Sequence, residues 1–160
     1  CSPMDDNGRH AASGAIPIGS NKGKFMSGFT GQCLCGKVTL KSDADPAFQA
    51  ICHCIDCRRA GGAPYAAYAF VMEDNLTVDG ELSSYTHTAD SGATMTKMFC
   101  PSCGSQMIGK NSNNEGRAGV RVGVIDDPKW FNPQVSVYTS RKLPSTEIGD
   151  VKTFDKMPGG

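Results

Sequence analysis

Seven of the eight cysteines in this chain fall into three short clusters whose spacing is typical of metal ligands. The clusters span Cys33–Cys35, Cys52–Cys57 and Cys100–Cys103. Zinc takes four protein ligands in a structural site, and three with an open position in a reactive site. Seven thiols divide naturally as four plus three. The sequence therefore predicts two zinc ions per chain, one in a closed site and one in an open site.

Eight cysteines would also suit a disulfide framework in a secreted chain, since the number is even. A chain of 160 residues, however, can build its own core without disulfides. The extended backbone of a Cys-x-Cys pair also holds the two Cα atoms at the outer edge of the range that a disulfide allows. We therefore expect metal binding in place of disulfides.

Two of the cysteine pairs suit a closed structural site. Cys33 and Cys35 stand two positions apart on a segment expected to be extended, so their sulfurs project from the same face. Cys100 and Cys103 form a zinc knuckle, in which Gly104 can take the positive φ that such a tight turn often needs. Together the two pairs predict a four-cysteine zinc site that clamps distant parts of the chain and contributes to folding.

The remaining three thiols predict a second zinc with an open position. Cys52, Cys54 and Cys57 lie so close in sequence that loop closure costs little. Three thiolates leave such a zinc with a net charge of about −1, which makes it a poor Lewis acid compared with a three-histidine zinc. A fourth thiolate, brought by glutathione or by a thiol adduct, is the better partner. We predict that these three cysteines form the catalytic site.

Two neighbours of these thiols are further catalytic candidates. His53 could ligate the metal or act from the second shell or pocket, but in extended backbone it alternates with Cys52 and Cys54, so its ring should point away. Arg58 could offset the negative charge and hold a substrate carboxylate, or form a solvated surface pair with Arg59. Three aspartates are candidates for proton transfer beside His53: Asp56, Asp126 and Asp127.

The elements that must position these residues are mostly strands. Apolar and polar residues alternate around Val38–Leu40 and along Ala118–Val124, and Tyr65–Met72 places Tyr68 and Phe70 on one face. Asp79-Gly80 between two apolar runs predicts a β-hairpin. The only helical signal is one short turn over Asp56–Ala60, which Gly61-Gly62 would end. The sequence predicts one mainly antiparallel β domain.

Five aromatic residues could line a pocket or lie in the core: Tyr65, Tyr68, Phe70, Trp130 and Tyr138.

Residues 1–27 are rich in breakers and lack a hydrophobic period, so we predict a flexible N-terminal arm or a remnant of expression, followed by the folded domain over 28–160. Cys1 and His10 lie in that arm and are not expected to be ligands.

The net charge of the chain is zero, with 16 basic and 16 acidic residues, so it has no electrostatic attraction for nucleic acid. The longest apolar run is too short to span a bilayer. We expect a cytoplasmic protein with a small-molecule substrate.

The three clusters together resemble the motifs of the glutathione-dependent formaldehyde-activating enzyme family, whose domain also occurs in centromere protein V. The segments that carry the resemblance are Gly31–Val38, Cys52–Arg59 and Phe99–Ser105. The resemblance covers Gly31 to Pro158. It implies a β-tent fold, in which small antiparallel sheets are pinned by zinc and helices are few or short. It also implies the same division of the cysteines into a structural and an active-site zinc.

The family name implies addition of formaldehyde to glutathione, which is carbon–sulfur lyase chemistry. Relatives in biosynthetic pathways could instead perform a lyase, hydrolase or isomerase step on another small compound. The alternative is a zinc-stabilised binding module without turnover, which the lack of an evident acid–base pair favours. The open zinc position favours the enzyme.

Overall fold

The structure is a computed structural model that describes residues 27–158. Almost all of the predicted N-terminal arm, with Cys1 and His10, lies outside the described residues, as do the last two residues of the predicted domain. No helix in the described range is long and apolar enough to cross a membrane.

Strands dominate the described part of the chain, which contains eleven strands and one α-helix. The strands are β1 Phe29–Gln32, β2 Thr39–Ser42, β3 Phe48–Cys52, β4 Ala66–Met72, β5 Leu76–Asp79, β6 Ser83–Thr88, β7 Thr94–Phe99, β8 Gln106–Asn111, β9 Arg117–Arg121, β10 Val135–Val137 and β11 Lys152–Phe154. The helix, α1, spans Ile55–Gly61, and Gly62 ends it in the left-handed conformation with a φ of 58°. The prediction of a mainly β fold with a short helix before Gly61-Gly62 is confirmed.

The strands form two sheets of unequal size. The smaller sheet has the antiparallel order β1-β2-β5, and the larger has eight strands in the order β11-β10-β3-β4-β9-β8-β7-β6. Most pairs are antiparallel, but β10 runs parallel to both β3 and β11. These parallel pairs were not predicted, because alternation within one strand carries no information about the direction of its neighbour.

The predicted hairpin at Asp79-Gly80 is wrong. β5 pairs with β2 in the small sheet, whereas β6 pairs with β7 at the edge of the large sheet. The chain therefore crosses between sheets at this turn. Gly80 has a φ of 98°, and a Cβ at this position would lie 2.2 Å from the carbonyl oxygen of Lys37, so the turn needs glycine for its contact with the small sheet.

The alternating run Ala118–Val124 is a strand only over its first part. β9 ends at Arg121, and Val122–Val124 forms one turn of 3-10 helix. The turn carries the chain out of the large sheet, so that Ile125 can form an isolated antiparallel bridge to Gly31 in the small sheet. A Cβ on Gly31 would lie 2.4 Å from the carbonyl oxygen of Val124, which shows how closely the backbones approach here.

The two faces of the large sheet carry different groups of buried residues at its centre. Ala69 and Val71 of β4 belong to the main hydrophobic core with the small sheet. The alternate residues Tyr68 and Phe70 project to the opposite face, beside Cys57. The predicted common face of Tyr68 and Phe70 is confirmed, and this face carries the three-cysteine cluster, which is a candidate functional site. Among the other aromatic candidates, Trp130 packs against the main core.

Candidate metal centres and the adjoining cavity

The first candidate metal centre is the four-cysteine cluster of Cys33, Cys35, Cys100 and Cys103. The four sulfurs lie within 4.8 Å of one another. The Sγ of Cys35 is 3.5 Å from that of Cys33 and 3.8 Å from that of Cys100. A tetrahedral zinc with bonds of about 2.3 Å requires sulfurs about 3.8 Å apart. The donor set and its spacing therefore fit a structural zinc.

Two tight turns bring these cysteines together. The Cys33–Cys35 turn between β1 and β2 is closed by a hydrogen bond from the Gly36 N–H to the Cys33 carbonyl, at 3.0 Å. In the second turn, between β7 and β8, the Gly104 N–H donates to the Cys100 carbonyl at 2.9 Å. Gly104 has a φ of 74°, as the knuckle predicted. The four-cysteine cluster thus joins the small sheet to the large one.

Ser105 connects the two turns beside the sulfurs. Its hydroxyl accepts a hydrogen bond from the Leu34 N–H at 3.0 Å and lies 3.3 Å from the Sγ of Cys103. Hydrogen bonding to Ser105 lowers the pKa of Cys103 to about 5. The thiolate is the form that binds zinc, so this contact supports metal binding.

The second candidate centre is the three-cysteine cluster of Cys52, Cys54 and Cys57, whose sulfurs also lie within 4.8 Å of one another. Cys52 ends β3, and Cys54 is the N-cap of α1. The Sγ of Cys54 accepts a hydrogen bond from the Cys57 N–H at 3.3 Å, so the helix cap itself aligns the sulfurs. No histidine or carboxylate of the described residues joins this group. The donor set fits a metal with one open position.

His53 points away from the three sulfurs, as the alternation predicted. Its ring is fully buried and packs against Tyr65, with ring centroids 5.7 Å apart. The Nε2 atom lies 3.0 Å from the hydroxyl of Ser136 on β10. Burial, with the nearby positive charges of Lys142 and Arg58, lowers the pKa of His53. His53 therefore lies behind the cluster and anchors the segment that carries Cys52 and Cys54 to the neighbouring strand.

Arg58 also lies outside the cavity. One of its guanidinium nitrogens donates to the backbone carbonyl of Arg141 at 3.3 Å, which ties α1 to the one-turn helix Thr139–Arg141. Arg58 therefore has a structural role in this contact. Its role in holding a substrate carboxylate stays a prediction.

The three candidate aspartates divide between the cavity and the surface. Asp56 lines the cavity next to the three-cysteine cluster. Asp126 accepts a hydrogen bond from the Thr30 hydroxyl at 2.7 Å, and Asp127 pairs with Lys129 at 3.7 Å. Since neither of the latter two lines the cavity, Asp56 alone of the three can reach a substrate there.

A cavity of about 310 Å³ lies on the outer face of the large sheet, and the three-cysteine cluster forms part of its wall. Its apolar side comes from β3, β4 and β10, with the rings of Phe48 and Phe70 6.0 Å apart. Gly109 and Gly119 are paired between β8 and β9 under the aromatic rings. A Cβ on Gly119 would lie 2.9 Å from Cε1 of Phe70, so glycine is what allows this ring to lie close to the sheet.

Two further side chains approach Cys57 from the cavity. The hydroxyl of Tyr68 is 3.6 Å from the Sγ of Cys57, and it accepts a hydrogen bond from Arg121 at 3.2 Å. The amine of Lys97 is 3.9 Å from the same sulfur, although Lys97 is only 5% exposed. Hydrogen bonds from Cys52 and Cys54, together with the charge of Lys97, lower the pKa of Cys57. Burial and the negative charge of Cys57 raise the pKa of Tyr68.

Lys97 is a candidate functional residue that the sequence did not predict. The sequence did contain a signal for Lys97. On β7 it shares its face with Met95 and Phe99, at a position where the alternation predicts an apolar residue. A lysine in such a position is rarely buried without a partner. Ordinary surface lysines are common enough that the pattern alone did not distinguish this one.

The mouth of the cavity is bordered by two segments in contact. Asp90, in the loop between β6 and β7, forms an ion pair with Arg141 of the one-turn helix Thr139–Arg141. Tyr138 precedes that turn and lines the cavity. Among the described residues it is the one non-glycine residue with a positive φ, at 57°. Such a conformation is uncommon outside glycine and marks positions worth testing for function.

Comparison with known proteins places these observations in a family. The family model described as glutathione-dependent formaldehyde-activating enzyme matches residues 28–141. A Schizosaccharomyces pombe protein named as an uncharacterized lyase is 23% identical over 90 residues, which cover 56% of this chain and 63% of the yeast protein. A crystal structure of a Rhodobacter sphaeroides protein matches with a TM-score of 0.50 and 22% identity, over 78% of this chain and 99% of the bacterial one. That likeness concerns the fold alone.

Proposed function

The chain belongs to the glutathione-dependent formaldehyde-activating enzyme family, and we propose that it is a zinc-dependent enzyme that makes or breaks a carbon–sulfur bond in a small thiol adduct. The three-cysteine cluster is the reacting centre, and the four-cysteine cluster holds the fold. The family match and the lyase name of the yeast relative support the class of enzyme.

One observation carries the assignment of the reacting centre. Of the two cysteine clusters in the described residues, the three-cysteine cluster lines the cavity and the four-cysteine cluster does not. A closed site with four protein ligands has no position for a substrate, whereas three ligands leave one. The open coordination position and the space for a substrate therefore coincide at Cys52, Cys54 and Cys57.

In the proposed reaction a thiol adds to an aldehyde: the sulfur bonds to the carbonyl carbon, and the thiol proton is transferred to the carbonyl oxygen. The reverse reaction breaks the carbon–sulfur bond and releases the thiol and the aldehyde. Zinc, when bound at the three-cysteine cluster, supplies an open position that favours the thiolate form of a substrate sulfur. Tyr68 presents an O–H group beside Cys57 that can hold the adduct oxygen. Phe48 and Phe70 form an apolar wall that the carbon atoms of the adduct can contact.

The test is the rate at which zinc-loaded protein exchanges formaldehyde with a thiol adduct, followed by two-dimensional exchange NMR with 13C-formaldehyde. Thiols should include glutathione and smaller mercapto acids, because the adduct also forms without catalyst and the rates must be compared. We expect acceleration by the parent protein and none by Cys54→Ser. Loss of acceleration with retained fold supports the proposal. A zinc-loaded parent protein that binds thiols without accelerating exchange would favour the binding module.

A further inference from the structure

The interior of the cavity combines an apolar surface with one buried cation. Four charged residues line the cavity: Asp56, Asp90, Lys97 and Arg117. Asp90 and Arg117 are exposed at the rim, and Asp56 is half-buried. Lys97 alone is buried. A substrate that enters the cavity therefore meets the three-cysteine cluster, one buried lysine beside it, and a mainly apolar lining elsewhere.

Lys97 has capacity for an anionic ligand. Among residues 27–158 no carboxylate forms an ion pair with it, and its amine contacts the sulfur of Cys57 at 3.9 Å. An ammonium group carries three donors, so two remain after a contact with Cys57. The Cys57 sulfur is one partner of this ammonium group, and its burial remains costly unless the other donors are also hydrogen-bonded. A substrate carboxylate would complete that environment.

We propose that the substrate is a small mercapto acid with an apolar body, whose sulfur faces the three-cysteine cluster and whose carboxylate binds Lys97. This inference rests on the proposed function, since it assigns the substrate class at the same centre. Because the Lys97 amine lies 3.9 Å from the Cys57 sulfur, the carboxylate and the sulfur of this substrate must lie close together in the molecule. The apolar body then lies along the opposite wall, over Phe48 and Phe70.

The same surface disfavours glutathione. Glutathione carries two carboxylates and one ammonium group, and its thiol lies in the middle of the molecule. Placing that thiol at the three-cysteine cluster would bring both charged arms into a cavity that offers one buried cation. The arms could be paired only at the rim, where exposed charges contribute little. We therefore expect the mercapto acid to bind more tightly than glutathione.

The experiment compares three probes by calorimetric titration into zinc-loaded full-length protein. The probes are 2-mercapto-3-phenylpropanoate, its primary amide, and glutathione. The amide keeps the thiol and the aromatic body but removes the anion. We expect the acid to bind about 10 to 100 times more tightly than the amide, as for other hydrogen bonds between charged groups. The preference should vanish in Lys97→Met and survive in part in Lys97→Arg, which keeps the positive charge.

Lys41→Met is the matched control, because Lys41 is an exposed lysine of the small sheet that pairs with Asp43. It should keep the full preference for the acid. Zinc content is measured for every variant. Equal binding of acid and amide by the parent protein, or tighter binding of glutathione, overturns the inference and leaves the proposed function standing. A zinc-loaded parent protein that binds none of the three thiols refutes both. Loss of zinc in both Lys97 variants would assign Lys97 to metal retention and overturn its role toward the substrate.

Discussion

Replacement of Cys103 by serine removes one ligand of the four-cysteine cluster, and we expect it to destabilise the whole domain. The cluster connects turns in two different sheets, and Cys35 and Cys100 are 65 positions apart. The chain-entropy relation for a cross-link that closes a loop of this length gives about 4 kcal/mol at 25 °C. At about 3 °C per kcal/mol for a domain of this size, the melting temperature should fall by about 12 °C.

The matched variant is Cys54→Ser in the three-cysteine cluster. This cluster closes a loop of only a few residues, so the same relation gives about 2 kcal/mol or less. Serine is also a good N-cap, so the start of α1 should survive the substitution. We therefore expect Cys54→Ser to lose metal and substrate binding at that centre while its melting temperature falls by about 6 °C at most.

Thermal unfolding, monitored by circular dichroism, compares the two variants directly. The zinc content of the same samples is measured by mass spectrometry. If Cys103→Ser has the same melting temperature as the parent protein but contains less zinc, the four-cysteine cluster is not a structural site. Equal losses of stability in both variants would refute the division of the cysteines into a closed and an open centre.

Three further outcomes follow from the same structure. Gly119→Ala should cost about 1–3 kcal/mol by displacing the ring of Phe70, whereas Gly123→Ala, where no atom lies within 4 Å of the added Cβ, should be nearly neutral in the same thermal melts. Ser136→Ala should cost about 1–3 kcal/mol, because it removes the hydrogen-bond partner of the buried His53 Nε2; an unchanged free energy of unfolding in urea would contradict that contact. Graded chelation should remove the metal of the three-cysteine cluster first, with little loss of circular dichroism; simultaneous loss of both metals with cooperative unfolding would show two structural sites.

Two kinds of information in the sequence were sufficient for prediction: the spacing of residues close together in the chain, and the number of ligands that a metal needs. The spacing of Cys52, Cys54 and Cys57 predicted a local cluster, because a few residues of backbone permit only a few arrangements of three sulfurs. The positive φ of Gly104 and the short helix that ends at Gly62 followed from local steric rules. The association of the two distant cysteine pairs was predicted from ligand count, since zinc needs four ligands and each pair supplies two.

Tertiary structure alone decided which strands are neighbours and therefore which side chains meet at the cavity. The hairpin signal at Asp79-Gly80 failed because the two strands that flank it pair with different neighbours, β5 with β2 and β6 with β7. Lys97 reached Cys57 because β7 lies beside β8, and β9 then connects β8 to β4 in the same sheet. Parallel pairing of β10 with β3 brought Ser136 to His53. None of these contacts is local in sequence, so alternation within a strand can assign a residue to a face but cannot name the residue that faces it.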